Sequence, residues 1–158
     1  MNILIGIIFA ASIIIDQITK LWAIKVLKNG GSIKITGDFL RFTYAENKGA
    51  AFSILQNQRV FFIIVTIIML IVLAYIYFKT KNISNMSKLS IAMIAGGAIG
   101  NFIDRVRFSY VVDFIDVRFG SFYNFPIFNI ADSFVVCGTI LMILLILFNR
   151  FEKSEING

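Results

Sequence analysis

Residues 60–78 run for nineteen positions without a charged side chain. At 1.5 Å rise per residue, a helix of that length matches the roughly 30 Å hydrocarbon core of a bilayer. This stretch commits the chain to a membrane, and the rest of the sequence agrees. Of 158 residues, 58% are hydrophobic and only 15% are charged, more apolar surface than a soluble domain of this size can bury. A second apolar run covers 131–148 and ends at Asn149-Arg150, where a cation can snorkel into the headgroups.

Two further spans are shorter. Residues 2–15 supply fourteen uncharged positions before Asp16, so a helix crossing here, over about 2–22, carries Asp16 and Lys20 at or near the interface. Spaced i, i+4, those two side chains can pair. The segment 89–105 holds Gly96, Gly97, Ala98 and Gly100, small residues that let helices approach closely, and it reads as an interior helix. The expected fold is an all-α integral membrane protein, a single domain with spans at 2–22, 60–78, 89–105 and 131–148. No basic region precedes the first span, which therefore reads as a retained helix.

Four spans place both termini on one side. The loop after the first span holds Lys20, Lys25, Lys28, Lys34, Arg41, Lys48 and Arg59, which by simple count opposes cytoplasmic termini. Short loops weigh most in the positive-inside rule, and Lys79, Lys81 and Lys88 form a compact basic stretch without an acid, so cytoplasmic termini are expected. The net charge of +6 suits anionic lipid and gives no reason to invoke nucleic acid.

Outside the spans, Ile33 and Ile35, then Gly37-Asp38, then Leu40, Phe42 and Tyr44 read as two short strands about a turn. They predict a small extracytoplasmic sheet over about 32–58. Residues 20–28 mix Leu21, Trp22, Ile24 and Leu27 with three lysines, the pattern of a helical extension lying in the interface. Eight aromatics between positions 108 and 128 suggest a loop dipping into the headgroup layer.

Within this frame, Asp113 and Asp132 sit at the mouth of an apolar span, where ionisable groups are costly and are presumed functional. The chain has no His, which removes Ser-His-Asp and Cys-His arrangements and leaves carboxylates or lysines for acid-base work. By topology Asp16, Asn47, Asn101, Asp104, Arg105, Asp113, Asn129 and Asp132 can all line one membrane face. Each has a structural alternative. Asp113 or Asp132 can simply cap a helix; Asp104 beside Arg105 reads as an ion pair; Asp116, followed by Arg118, reads as solvated. Asp16 and Lys20 read as a tie between the first helix and the loop, and the three Asn side chains can satisfy buried peptide groups. Cys137, in the fourth span with no partner cysteine, reads as a buried packing residue.

Five ordered motifs carry a resemblance. Asp-Gln-Ile-Thr-Lys at 16–20, Glu-Asn-Lys-Gly-Ala-Ala-Phe at 46–52, Gly-Asn-Phe-Ile-Asp-Arg at 100–105, Val-Val-Asp-Phe at 111–114 and Phe-Asn-Ile-Ala-Asp-Ser at 128–133 resemble the bacterial lipoprotein signal peptidases, signal peptidase II, from residue 16 to 148. The resemblance implies an aspartic endopeptidase of the bacterial plasma or inner membrane, with cytoplasmic termini and a site near the extracytoplasmic face. It implies a diacylglyceryl-modified prolipoprotein as substrate, cut before the lipidated cysteine, and membrane lipid and globomycin-type cyclic-peptide inhibitors as further partners. The catalytic pair falls on Asp113 and Asp132, with Asn47, Asn101, Arg105, Asn129, Asp16, Lys20 and Asp104 in support. Two close carboxylates share one proton and act as base and acid on water and a carbonyl, chemistry that requires neither metal nor cofactor. Two rival readings are a small proton or ion transporter and a Ser/Lys peptidase using Ser53 and Lys48.

Overall fold

The computed structural model describes residues 2–49, 55–120 and 122–153. It contains α1 (Asn2–Gly30), β1 (Ile33–Thr36), β2 (Leu40–Asn47), α2 (Arg59–Lys79), α3 (Asn85–Phe108), β3 (Val111–Phe119), β4 (Tyr123–Asn124) and α4 (Ile130–Leu147). All four helices are long and apolar enough to cross a membrane. α2 buries none of its residues within the protein, as expected of a helix whose surroundings are lipid.

α3 is the interior helix. It packs against α1, α2 and α4, and its glycines allow the close approach. A Cβ on Gly100 would lie 2.5 Å from Asp16 Oδ2 and 3.2 Å from Ala131 Cβ, and one on Gly97 would strike the Ala131 carbonyl. Its N-terminus is capped by Ser84, whose hydroxyl accepts from Ser87 N. The chain end returns to this cap: Ser84 N and Ser87 Oγ both donate to the Phe151 carbonyl.

Outside the helices lies an antiparallel sheet in the order β1-β2-β3-β4. The β1–β2 turn contains Gly37 at φ +50°, a left-handed conformation that glycine adopts without strain. The aromatic stretch 108–128, expected as a headgroup-dipping loop, instead contributes β3 and β4. β3 pairs with β2 from Leu40↔Val117 to Asn47↔Val111. The β-branched and aromatic residues of Val-Val-Asp-Phe-Ile-Asp-Val-Arg-Phe suit a strand, and pairing satisfies its buried backbone groups.

Residues 20–28, expected as a helical extension, continue α1 unbroken to Gly30. At 1.5 Å per residue its 29 residues span about 43 Å, more than the hydrocarbon core. The sheet is seated on its last turns. Ala23 and Leu27 are buried with Val112 and Phe114, and Trp22 packs edge-on to Phe42 and Phe114 at ring-centroid distances of 5.4 and 6.2 Å. With Val112 and Phe114 packed in that core, strand alternation turns Asp113 to the opposite face.

Candidate active site

Asp113 and Asp132 line one cavity of about 740 Å³, together with Asn47, Asn101 and Arg105. Backbone pairing brings the two carboxylate motifs together. Phe114 N and Ile115 N donate to the Phe128 carbonyl at 3.0 and 2.8 Å, so Asn129 emerges beside Asp113 and α4 starts one residue later. Asn129 is the N-cap of α4 and forms a reciprocal capping box with Asp132: its Oδ1 accepts from Asp132 N at 2.9 Å, and Asp132 Oδ2 accepts from Asn129 N at 3.1 Å. The capping role weighed as an alternative for Asp132 is therefore real, and the same side chain also faces the cavity.

The amide of Asn129 is shared. Its Nδ2 donates to Asp113 Oδ1 at 2.6 Å, with Asn101 Oδ1 at 3.1 Å and the Val112 carbonyl at 3.3 Å also in reach. Asp113 Oδ2 accepts from Asn47 Nδ2 at 3.0 Å, and Asn47 is itself oriented by Gly49 N donating to its Oδ1. Asp113 is 2% exposed. Burial, followed by the nearby Asp132 charge, pushes its carboxyl up to about 7 against the lowering effect of the two amide donors and Lys20.

Behind this pair lies a buried polar cluster. Lys20 Nζ contacts Asp16 Oδ2 at 2.9 Å, Asp104 Oδ2 at 3.0 Å and Asn101 Oδ1 at 2.8 Å, so each of its three donors has an acceptor. Asn101 Nδ2 in turn donates to Asp132 Oδ1 at 2.7 Å. The two acids also organise backbone: Asp16 Oδ1 accepts from Ala131 N at 2.9 Å, and Asp104 Oδ2 accepts from Val112 N at 3.0 Å. The expected Asp16–Lys20 pair is present. The expected Asp104–Arg105 pair is not, because adjacent helix residues point about 100° apart and Asp104 turns toward α1. Arg105 instead lies over the Phe62 ring at 4.9 Å and lines the cavity.

Asp116 departs from its solvated reading. It is 2% exposed, accepts from Arg118 Nη2 at 2.8 Å and from Thr43 Oγ1 at 3.1 Å, and sits on the sheet away from the cavity lining. Although burial acts to raise it, these partners hold its carboxyl below the usual range. Cys137 is exposed and lines the cavity edge, so it is not a buried packing residue. Ser53 lies outside the described residues. Lys48 lines the cavity entrance.

Several cavity residues carried no motif signal. The apolar wall is built by Val135 and Val136 on α4 and by the segment 125–128. The α4 residues were accessible to reasoning, since positions three and four beyond Asp132 share its helix face. The 125–128 wall depends on the β3 pairing and was not. The cavity thus has a polar floor of carboxylates and amides beside an apolar wall running along a membrane helix.

Comparison with known proteins gives a consistent answer. The family model described as signal peptidase (SPase) II matches residues 8–148. Lipoprotein signal peptidases are similar over most of the chain: that of Clostridium tetani is 45% identical over 141 residues, covering 89% of this chain and 90% of the relative. That of Caldanaerobacter subterraneus subsp. tengcongensis is 47% identical over 143 residues, covering 90% and 94%. A solved structure described as a bacterial membrane enzyme, obtained by the in meso method at 2.3 Å resolution, superposes with a TM-score of 0.87 at 40% identity and covers 98% of this chain and 93% of its own. With a family model spanning most of the sequence and relatives this similar, the chain belongs to the signal peptidase II family.

Proposed function

We propose that this membrane peptidase removes the signal peptide from diacylglyceryl-modified prolipoproteins, cutting before the lipidated cysteine, with Asp113 and Asp132 as its catalytic dyad. The observation that carries this reading is that one amide, Asn129, hydrogen-bonds both residues, at the Asp113 carboxylate and the Asp132 backbone N–H, on the floor of a single cavity. The ionised member takes a proton from water as the water oxygen attacks the scissile carbonyl, and the protonated member donates to the carbonyl oxygen. The resulting diol collapses when the first acid returns its proton to the leaving nitrogen and the second carboxylate takes one from a diol hydroxyl. In this reading Asn47 and Asn101, besides donating to the carboxylates, hydrogen-bond the extended substrate backbone, and Arg105 meets developing negative charge.

The same reading puts the cavity near the extracytoplasmic face of the plasma membrane with both termini in the cytoplasm. The projecting end of α1, with Lys25 and Lys28, then lies among headgroups, and Lys28 ties it to β2 through Glu46 at 3.0 Å. Globomycin-type cyclic peptides would compete for the apolar wall. The transporter reading is disfavoured because the polar groups gather at one end of the helices, while α2 has no buried residue and α4 buries only Ala131 and Gly138.

Cleavage of lipidated and unlipidated precursor in the same micelle tests the substrate assignment. Acyl chains retained in lipid are worth about 0.8 kcal/mol per CH₂ and hold the scissile bond at the depth of the dyad, so the lipidated precursor is cleaved far faster. Equal rates would return the function to that of a general membrane aspartic peptidase.

A further inference from the structure

The two carboxylates occupy unlike surroundings. Asp132 lies in the first turn of α4, where the helix's positive end favours an anion. Both of its oxygens accept hydrogen bonds, from Asn101 Nδ2 at 2.7 Å and Asn129 N at 3.1 Å. Asn101 is no ordinary amide donor, because its Oδ1 accepts from the Lys20 ammonium at 2.8 Å. A cation on the carbonyl end polarises the amide and strengthens the bond given by its N–H end. Lys20 is 2% exposed, so bulk ions screen this effect little.

Asp113 has none of these features. It stands on a strand, and its hydrogen bonds come from two neutral amides, Asn47 and Asn129. Among the described residues, no cation forms an ion pair with it.

We propose that the Lys20–Asn101 pair makes Asp132 the ionised base of the dyad and leaves Asp113 to carry the proton. This rests on the dyad reading above and deepens it. Asp132 then takes the proton from attacking water while Asp113 gives its own to the carbonyl oxygen. In the second half Asp132 returns a proton to the leaving nitrogen, Asp113 takes one from the diol, and the dyad ends in its starting state.

Lys20 is a positioning residue, acting through Asn101. The charged groups facing Asp132 are Lys20 and Asp16 from α1, Asp104 and Arg105 from α3, Asp113 from β3, and Glu46 and Lys48 at the end of β2. Asp16 and Asp104 each accept from Lys20 and leave its remaining donor aimed at Asn101.

The test is kcat/KM against pH for the wild type, Asn101→Leu and Asn47→Leu. In this assignment the acid limb reports the base and the alkaline limb the acid. Asn101→Leu moves the acid limb upward, a one-unit displacement making the enzyme about tenfold slower below it, and leaves the alkaline limb in place. Asn47→Leu moves only the alkaline limb upward. Movement of the opposite limbs, or both limbs left in place by both substitutions, would overturn the proposal. Infrared spectra of the folded proteins at pH values between the two limbs give a reading independent of turnover. A protonated-carboxyl band present in the wild type persists in Asp132→Asn and is lost in Asp113→Asn; loss in Asp132→Asn, or an equal change in both, contradicts the assignment. Turnover by either Asn variant would instead remove the dyad itself, so the two failures are distinguishable.

Discussion

Asn129 Nδ2 stands 2.6 Å from Asp113 Oδ1 while the Oδ1 of the same amide caps α4 through Asp132 N. One side chain therefore fixes the start of a membrane helix and the orientation of a cavity carboxylate together. Asn129→Ala removes both functions. It lowers stability by about 1 kcal/mol for the lost cap, and the loss of activity exceeds what that destabilisation explains. Thermal unfolding in detergent alongside kcat/KM separates the two effects; full activity in the folded variant would contradict the shared role.

The two aspartates differ in what they contribute to stability. Asp113 has its folded-state carboxyl raised from 3.8 to about 7. The folded state thus holds a proton that the unfolded state releases, and stability falls as pH rises from about 4 through about 7. Asp113→Asn abolishes that dependence, so its stability relative to wild type improves over this window and levels off above it. Asp132→Asn loses an acceptor in the capping box and is destabilised by roughly 0.5–2 kcal/mol. Unfolding midpoints of the two variants at acid and alkaline pH check both statements.

Lys20→Met leaves Asp16 and Asp104 buried at 0% and 1% exposure without their cation. Removing one partner of such a cluster costs on the order of 3–5 kcal/mol. Lys20→Met combined with Asp104→Asn recovers part of the loss, because one uncompensated charge is removed. A protease-resistance or thermal assay in membranes measures the difference, and equal stability of the single and double variants would contradict the account.

Gly100→Ala places a methyl group 2.5 Å from the Asp16 carboxylate. Neither α1 nor α4 can yield without disturbing the Lys20 cluster or the Ala131 N–H bond to Asp16. Overpacking of this kind costs about 1–3 kcal/mol, and the expected result is lower thermal stability with reduced cleavage. An unchanged melting temperature would show that the helices are less closely packed than described.

Chelation tests the chemistry from another side. The chain has no His and one Cys, and among the described residues no group of three or more His, Cys, Asp or Glu is arranged to hold a metal ion. Treatment with EDTA leaves cleavage unchanged. Loss that zinc restores would contradict the two-carboxylate mechanism.

Much of this architecture was legible in residue order. A nineteen-residue uncharged run has one stable solution in a bilayer, and the expected 60–78 span differs from α2, Arg59–Lys79, by a residue at each end. The β1–β2 hairpin followed from alternation about Gly37. The signal for β3 is the β-branched run within 111–119, and the density of aromatics in 108–128 masks it. Asp116 and Arg118, two apart, share one strand face, so their pairing was also within reach. The Lys20–Asn101–Asp132 chain was not: its links join residues 81 and 31 positions apart, and only the packing of α1, α3 and α4 creates them.

The central claim is that Asp113 and Asp132 together perform the cleavage. The most direct measurement is the rate at which purified wild-type, Asp113→Asn and Asp132→Asn proteins, each confirmed folded, cut a diacylglyceryl-modified precursor before its lipidated cysteine. Each variant is predicted to be slower by at least about 10²-fold, the lower end of what a positioned acid or base contributes. Cleavage by either variant at the wild-type rate would contradict the dyad.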